Sequence, residues 1–311
     1  MTGCSIIIPS RNGADTLGAA LAALAQVERP EGAGGNGAWD IVLIDNASSD
    51  ATPDIMRRFA TAHGAQFLSE PRPGKSHALN RGIAAARGDL LIFMDDDVLP
   101  VPRWAQAYVE AAESSPHVGV FAGAVRPHWS APPPEWLETL AQAGRACGCT
   151  DPCRHAGPVD PVDVKGGNFA VRRSALGDVR FDTGATNFGA DNLGAGGAPT
   201  GGEDSQFVRA LAQRGQAVHF VPQAIVAHIV GAEEMTLRHQ LSRFVRIGRG
   251  AAVVDGGGLR GAALAGAKVP VFGARSAMRY ARADRAGAAM ALAQAAMNLG
   301  RLSQSVGKGR V

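Results

Sequence analysis

Three consecutive carboxylates, Asp95, Asp96 and Asp97, close the apolar run at residues 90–94. Like charges side by side repel, and burying them unpaired shifts their protonation or destabilises the fold. A shared cation removes that conflict. If the strand pattern continues, Asp95 and Asp97 face one way and Asp96 the other. Such a pair is a hard-oxygen site for Mg2+ or Mn2+, an ion that keeps waters and bridges phosphates. Asp45 closes a second apolar run, at residues 41–44, and can accept hydrogen bonds from a nucleobase or ribose, or close an Asx turn. Glu203 and Asp204 follow a glycine-rich stretch at a helix start, where a carboxylate serves as general base or as cap. Lys75 and His77 open another helix, either solvated or aimed at an anionic ligand. His228, on an apolar strand, reads by itself as a hydrogen-bonded core histidine, and Asn168, after two glycines, as a turn residue or a ligand contact.

Elements must carry these groups. The uninterrupted apolar runs at residues 5–9, 41–44, 90–94 and, more weakly, 119–122 predict strands buried on both faces, as in a parallel sheet. Between them, Leu17, Leu21 and Leu24 predict a helix capped by Asp15 or Thr16. Thr52-Pro53 opens a second helix through Ile55, Met56 and Phe59, and residues 76–86 form a third. Alternating strand and helix means an α/β, doubly wound sheet whose ligands bind beyond the carboxyl ends of the strands. Those ends carry Ser10, Arg11 and Asn12, then Asp45 to Asp50, then the aspartate triplet.

The second half is less regular. A Pro/Trp-rich connection is expected at residues 127–136, a loop at 141–161, and two strands at 217–221 and 224–230. Residues 187–202 are glycine-rich, and within them 187–201 suggest a lid. From Thr236 onward the pattern is helical, apart from residues 255–258.

At 311 residues, 46% apolar and 19% charged, the chain is long enough for a large folded domain. Its net charge of +3 conceals an asymmetry: residues 1–234 hold 18 Lys/Arg against 26 Asp/Glu, and residues 235–311 hold 13 against 2. The tail can therefore meet acidic lipid head groups or another anionic partner. Leu237, Leu241, Phe244 and Val245 recur at helical spacing among Arg238, Arg243, Arg246 and Arg249, which predicts a packed helix with a solvated basic face. No secretory leader and no membrane-spanning run is read, so the expected location is cytoplasmic, with peripheral contact at the inner face of the membrane. Cys147, Cys149, Cys153 and His155 lack the paired CxxC knuckles of zinc fingers and predict a loop with reduced thiols.

In order and spacing, several motifs together resemble a family 2 glycosyltransferase of the GT-A fold over residues 4–250. They are residues 5–12 (Ser-Ile-Ile-Ile-Pro-Ser-Arg-Asn) with Leu17, residues 41–50, residues 74–82, residues 86–89, Asp95 to Asp97, residues 166–170 and residues 202–204. The resemblance implies a Rossmann-like mixed sheet flanked by helices. A catalytic domain would span 1–232, its nucleotide-binding half at 1–100 and its acceptor half at 101–232. A basic, mainly helical extension would follow at 233–311. It further implies that Pro9, Arg11, Asp45, Lys75, Asn80, Asp95 and Asp96 bind a nucleotide-diphosphate sugar, a UDP-sugar first. Asp97, Asp95 and His228 would hold Mg2+ or Mn2+. Asp204 would deprotonate the acceptor hydroxyl with Glu203 in support, and Gly167 and Asn168 would face the acceptor, which is a saccharide, a lipid-linked sugar or a small molecule. An aspartate base opposite the departing diphosphate implies inversion. Asn46 departs from the family's frequent second aspartate. Gln240-x-x-Arg243-Phe244 is similar to a motif of processive synthases with Phe for Trp, and a single addition is the expectation.

Two other classes fit less well. A sugar-1-phosphate nucleotidyltransferase needs a longer basic, glycine-rich loop than Ser10-Arg11-Asn12-Gly13. A non-catalytic binder of nucleotide sugars, or of an anionic surface, would not need Asp95, Asp97, Asp204 and His228 together. Nucleic-acid binding is not expected: aromatics are only 5% of residues, too few for base stacking, and the main domain is acidic.

Overall fold

A computed structural model describes residues 2–30, 39–183, 202–254 and 259–307. The stretches read above as a lid (187–201) and as a helix break (255–258) lie outside them. The chain divides into two compact units, one of residues 1–128, 149–184 and 203–229, the other of residues 129–148, 185–202 and 230–311.

The first unit is an α/β sheet. In chain order its elements are β1 (Cys4–Ser10), α1 (Ala14–Leu24), β2 (Trp39–Asp45), α2 (Thr52–His63), β3 (Gln66–Ser69), α3 (Lys75–Ala85), β4 (Leu90–Met94), β5 (Val98–Pro100), α4 (Trp104–Ser114) and β6 (Val118–Trp129). After α5 (Glu135–Gln142) of the second unit come β7 (Gly157–Pro158), β8 (Asn168–Arg172), α6 (Arg173–Leu176), α7 (Glu203–Gln213) and β9 (Ala217–Val230). The second unit ends in three helices, α8 (Leu237–Val254), α9 (Leu259–Ala281) and α10 (Arg285–Gly307).

The sheet order is β3-β2-β1-β4-β8-β6-β9-β5, with β7 on β9. β1 pairs parallel with β2 and β4, and β2 with β3. From β4 onward the sense changes: β8 runs antiparallel to β4 and β6, as do β5 and β7 to β9. The parallel sheet read from the apolar runs is thus only one half of a mixed sheet. Alternation divides the core: Ile6, Ile8, Leu43 and Ile92 pack with Leu17 of α1 and Trp104 of α4. Ile7, Val42, Ile44, Leu91 and Phe93 pack on the other face with Leu79 of α3 and Phe207 of α7. Both faces are covered, which is why these strands are apolar throughout.

Several sequence expectations need correction. β6 runs on to Trp129, through most of the supposed Pro/Trp connection, and α5 reaches into the supposed 141–161 loop. Residues 217–230 form one strand, not two. Pro222 falls between the stretches of β9 paired to β7 (219–220) and to β5 (226–228). α1 is not capped by Asp15 or Thr16; its Gly13 and Ala14 N–H groups donate to Thr52 Oγ1 (2.9 Å) and Asp50 Oδ2 (3.1 Å) on the neighbouring loop.

In the second unit α8 and α10 pack closely. A Cβ on Gly248 would strike Met297 O, and one on Gly300 would strike Val245 O. Arg243, Arg246 and Arg249 are partly buried, not the solvated face predicted. No helix among the described residues is long and apolar enough to cross a membrane.

Candidate active site

The carboxyl ends of β1, β2 and β4 lie side by side, as the parallel registers require. β4 stops at Met94, so Asp95, Asp96 and Asp97 occupy a turn before β5, and strand alternation no longer governs them. The triplet spreads to three partners. Asp95 Oδ1 accepts Lys75 Nζ at 2.7 Å, Asp96 accepts the Ser10 hydroxyl, and Asp97 Oδ2 lies 3.3 Å from His228 Nε2. Asp96, expected as a spacer turned away, is instead bound to β1. Burial and the adjoining Asp97 charge push its carboxyl up to about 7, against the Ser10 hydrogen bond. A Cβ at Gly13 would strike both Ser10 and Asp96, so only glycine lets that contact close.

Lys75 is the hub. Beyond Asp95 it lies 3.6 Å from Asp204 Oδ2 and 4.0 Å from Glu203 Oε1, with 23% of its side chain exposed. Three carboxylates around one ammonium leave a net charge of −2 when all are ionised. Burial alone would depress the Lys75 ammonium, but Asp204, Asp95 and Glu203 outweigh it and hold it well above its ordinary value. Burial pushes Asp204 up to about 7; Lys75 opposes the rise, while Glu203 and Asp95 add to it. The lysine is neither a solvated helix start nor free of protein ligands.

Its position is built from the loop before it. Asn46 donates to the carbonyls of Arg72 (2.7 Å) and Glu70 (3.3 Å) and accepts the Gly74 N–H at 2.8 Å. A carboxylate has no donor for those two carbonyls, which accounts for an amide where an acid was expected. Gly74 has φ 132°, a conformation that favours glycine, and the next residue is Lys75. Glu70, missed in the sequence, is buried under this loop; hydrogen bonds from Arg72 hold its carboxyl down at about 2. Its signal was an acid in Glu70-Pro-Arg72, two residues from a cation.

Backbone forms the opposite wall. A Cβ on Gly166 would strike the Asp204 carboxylate, and one on Gly167 would come within 3.1 Å of Asp95 Oδ2. Behind the cluster Phe93 stacks on Phe169 (4.6 Å) and Phe181 on Phe207 (4.0 Å), with Phe93 edge-on to Phe207 (6.1 Å). Each of Phe93, Phe169 and Phe207 lies within four residues of a group in the cluster, so their packing fixes the three segments together.

Two predicted contacts are taken up elsewhere. Asn168 is fully buried: its Oδ1 accepts Trp104 Nε1 and Tyr108 Oη (both 2.7 Å), and its Nδ2 donates to Ala124 O (2.9 Å) and Ala224 O (2.8 Å). With no capacity left, it is a core node and not an acceptor contact. Asn80 Nδ2 donates to Phe181 O and its Oδ1 accepts Phe181 N–H, both at 2.9 Å, which ties α3 to the aromatic stack instead of a nucleotide. Pro9 is buried within β1, beside Ile44. Asp45 is buried and accepts the Ser48 N–H, three residues on, at 3.3 Å, leaving Oδ2 for another donor. Arg11 Nη1 is buried without a hydrogen-bond partner, as is Asp204 Oδ1. Asp95, expected among the metal ligands, is held by Lys75. No three His, Cys, Asp or Glu side chains among the described residues gather as a metal group, so neither Asp97–Asp95–His228 nor Cys147–Cys149–Cys153–His155 assembles as a protein-only cage. All four cysteines are thiols.

The model of the family described as Glycosyl transferase family 2 matches residues 5–180. A glycosyltransferase, AglE, of Haloferax volcanii is 30% identical over 104 residues, 33% of this chain and 33% of that protein. A poly-beta-1,6-N-acetyl-D-glucosamine synthase of Staphylococcus epidermidis is 26% identical over 181 residues, 58% of this chain and 42% of that one. The chain thus spans less than half the length of these two relatives. In fold it is similar to the mannosyltransferase PcManGT from Pyrobaculum calidifontis, solved with GDP-Man and Mn2+ (TM-score 0.56, 20% identity, 98% of this chain, 73% of that one). It is also similar to S. aureus TarS 1–349, solved with UDP-GlcNAc (TM-score 0.52, 14% identity, 79% and 66%). The mixed sheet flanked by helices is the GT-A architecture, and the chain belongs to glycosyl transferase family 2.

Proposed function

We propose that the protein transfers a sugar from a nucleotide-diphosphate donor, a UDP-sugar first, to a hydroxyl acceptor, with inversion at the anomeric carbon. The acceptor would be a saccharide, a lipid-linked sugar or a small molecule. The observation that carries this reading is the single lysine binding Asp95, Glu203 and Asp204 beside the Asp97–His228 pair, at the carboxyl ends of parallel strands. Residues 1–100 would hold the nucleotide, residues 101–232 the acceptor, and residues 233–311 would form an extension.

Asp45 would receive base or ribose hydrogen bonds through its open oxygen, and Asp95 would lie at the ribose. Arg11, whose buried Nη1 has no protein acceptor, is suited to a diphosphate oxygen. Asp97 and His228, whose Oδ2 and Nε2 lie 3.3 Å apart, would hold Mg2+ or Mn2+ together with the donor diphosphate. When bound, the ion would neutralise charge developing on the departing diphosphate. Asp204, raised to about 7, is suited to take the acceptor proton near neutral pH. The hydroxyl would attack opposite the diphosphate, and Lys75 would keep Asp204 ionised.

A donor screen with Mn2+, scored by release of nucleoside diphosphate, tests this reading. Asp97→Ala and Asp204→Asn should each lose turnover while remaining folded; full turnover by both would overturn the site.

A further inference from the structure

In the C-terminal unit α9 leaves one apolar face uncovered. It meets α10 through small buried residues, Ala262, Ala265 and Ser276, the last donating to Ala288 O at 2.9 Å. Val269 and Phe272 are partly buried, but three large apolar residues face water: Leu264 is 59% exposed, Val271 50% and Met278 54%. Seven-residue spacing drifts only about 20° per step around a helix, so the three form one stripe about 21 Å long. Spaced about 10 Å apart along one face, they offer apolar side chains that a partner can cover.

Cations border it. Arg275 lies one turn beyond Val271 and Arg279 one turn further. Both line a cavity of about 380 Å³ with Arg145, and its apolar wall includes Leu140, Met290 and Ala291. Asp284, paired with Arg279 at 3.1 Å, is the one acid of that lining, which keeps a balance of +2. Residues 235–311 as a whole carry 13 basic against 2 acidic residues. A second copy would bring the same positive charge to the seam and repel, whereas an anionic amphiphile matches both halves of the surface.

We propose that α9 and α10 dock this unit on an anionic membrane surface, with a phospholipid phosphate in the arginine cavity and the Leu264–Val271–Met278 stripe among the acyl chains. From the sequence, such a contact belongs to the basic C-terminal helices as a group; of these α8 is not the free one, since Leu241, Phe244 and Val245 are partly buried and Gly248 abuts α10. The inference is independent of the sugar-transfer chemistry.

Flotation of the full chain with vesicles of phosphatidylcholine, with and without phosphatidylglycerol, tests it. Binding is expected only with phosphatidylglycerol, and weakening with salt. The Arg145→Gln/Arg275→Gln variant should bind on the order of 25-fold more weakly, about fivefold per charge. Val271→Ser/Met278→Ser should also detach, with circular dichroism showing both variants folded. Equal binding to both vesicle types, or binding unchanged in both variants, overturns the proposal. So does absence of vesicle binding together with a concentration-dependent dimer that Val271→Ser/Met278→Ser dissociates, because a second copy would then cover the stripe.

Discussion

Replacing Lys75 by Met removes the ammonium that faces Asp95, Glu203 and Asp204 while keeping a stem of similar volume. At the 3.6 Å separation from Asp204, an effective dielectric near 20 gives a Coulomb term of about 4–5 kcal/mol. With solvent reaching part of the lysine, roughly a third to a half of that survives, equivalent to about 1–2 pH units. Lys75 lowers the Asp204 carboxyl, so its loss moves the group upward from about 7. The sign follows: a base works only when ionised, so the acidic limb of kcat/KM should move to about pH 8–9. Activity at pH 7 should fall about 5- to 50-fold and recover in alkali. Lys75→Arg should keep the limb near 7. The assay is nucleoside-diphosphate release against pH at subsaturating donor, with circular dichroism to confirm folding. A drop of equal size at every pH, with the limb unmoved, would refute the coupling and leave Lys75 as a donor contact alone.

Asn168→Ala should strand four buried groups on Trp104, Tyr108, Ala124 and Ala224, each worth about 1–3 kcal/mol, and lower stability by at least about 4 kcal/mol in denaturant titrations. A change confined to acceptor KM would restore its reading as an acceptor contact. Asp97→Ala and His228→Ala should each weaken Mn2+ binding in the presence of nucleoside diphosphate by about tenfold or more, measured by calorimetry; unchanged affinity in both would remove the pair from the metal site. Stability should respond to pH in two senses. Glu70, held at about 2, contributes stability above its unfolded value near 4.5 that is lost as pH falls toward 2. Asp96 and Asp204, raised to about 7, contribute stability below their unfolded value near 4 that is lost as pH rises through 7. Thermal melts without metal should therefore show a maximum on the acidic side of neutrality, and Asp96→Asn should flatten the neutral limb.

What the sequence disclosed depended on how local the cause was. β1, β2 and β4 were legible because covered faces demand continuous apolar residues. β5, only three residues long, left no periodicity to read, and without it the triplet looked like a strand continuing outward. The acidic clusters and Lys75 could be found from residue type, but not the way Lys75 joins them, since its partners come from positions 95, 203 and 204. Asn168 misled for the same reason. Its ring partners lie 60 and 64 positions away, and an amide after two glycines resembles a turn until they are seen.

The sheet order has a further consequence during synthesis. β4, the apolar Leu90-Leu-Ile-Phe-Met94, pairs with β1 on one side, and its other edge is covered only by β8, roughly 75 residues later in the chain. At typical elongation rates of about 5–20 residues per second, that edge waits about 4–15 s for its partner. An open strand of this composition is a template for pairing with other chains. The acidic turn that follows at Asp95 thus guards the nascent edge by charge before it has any ligand to hold.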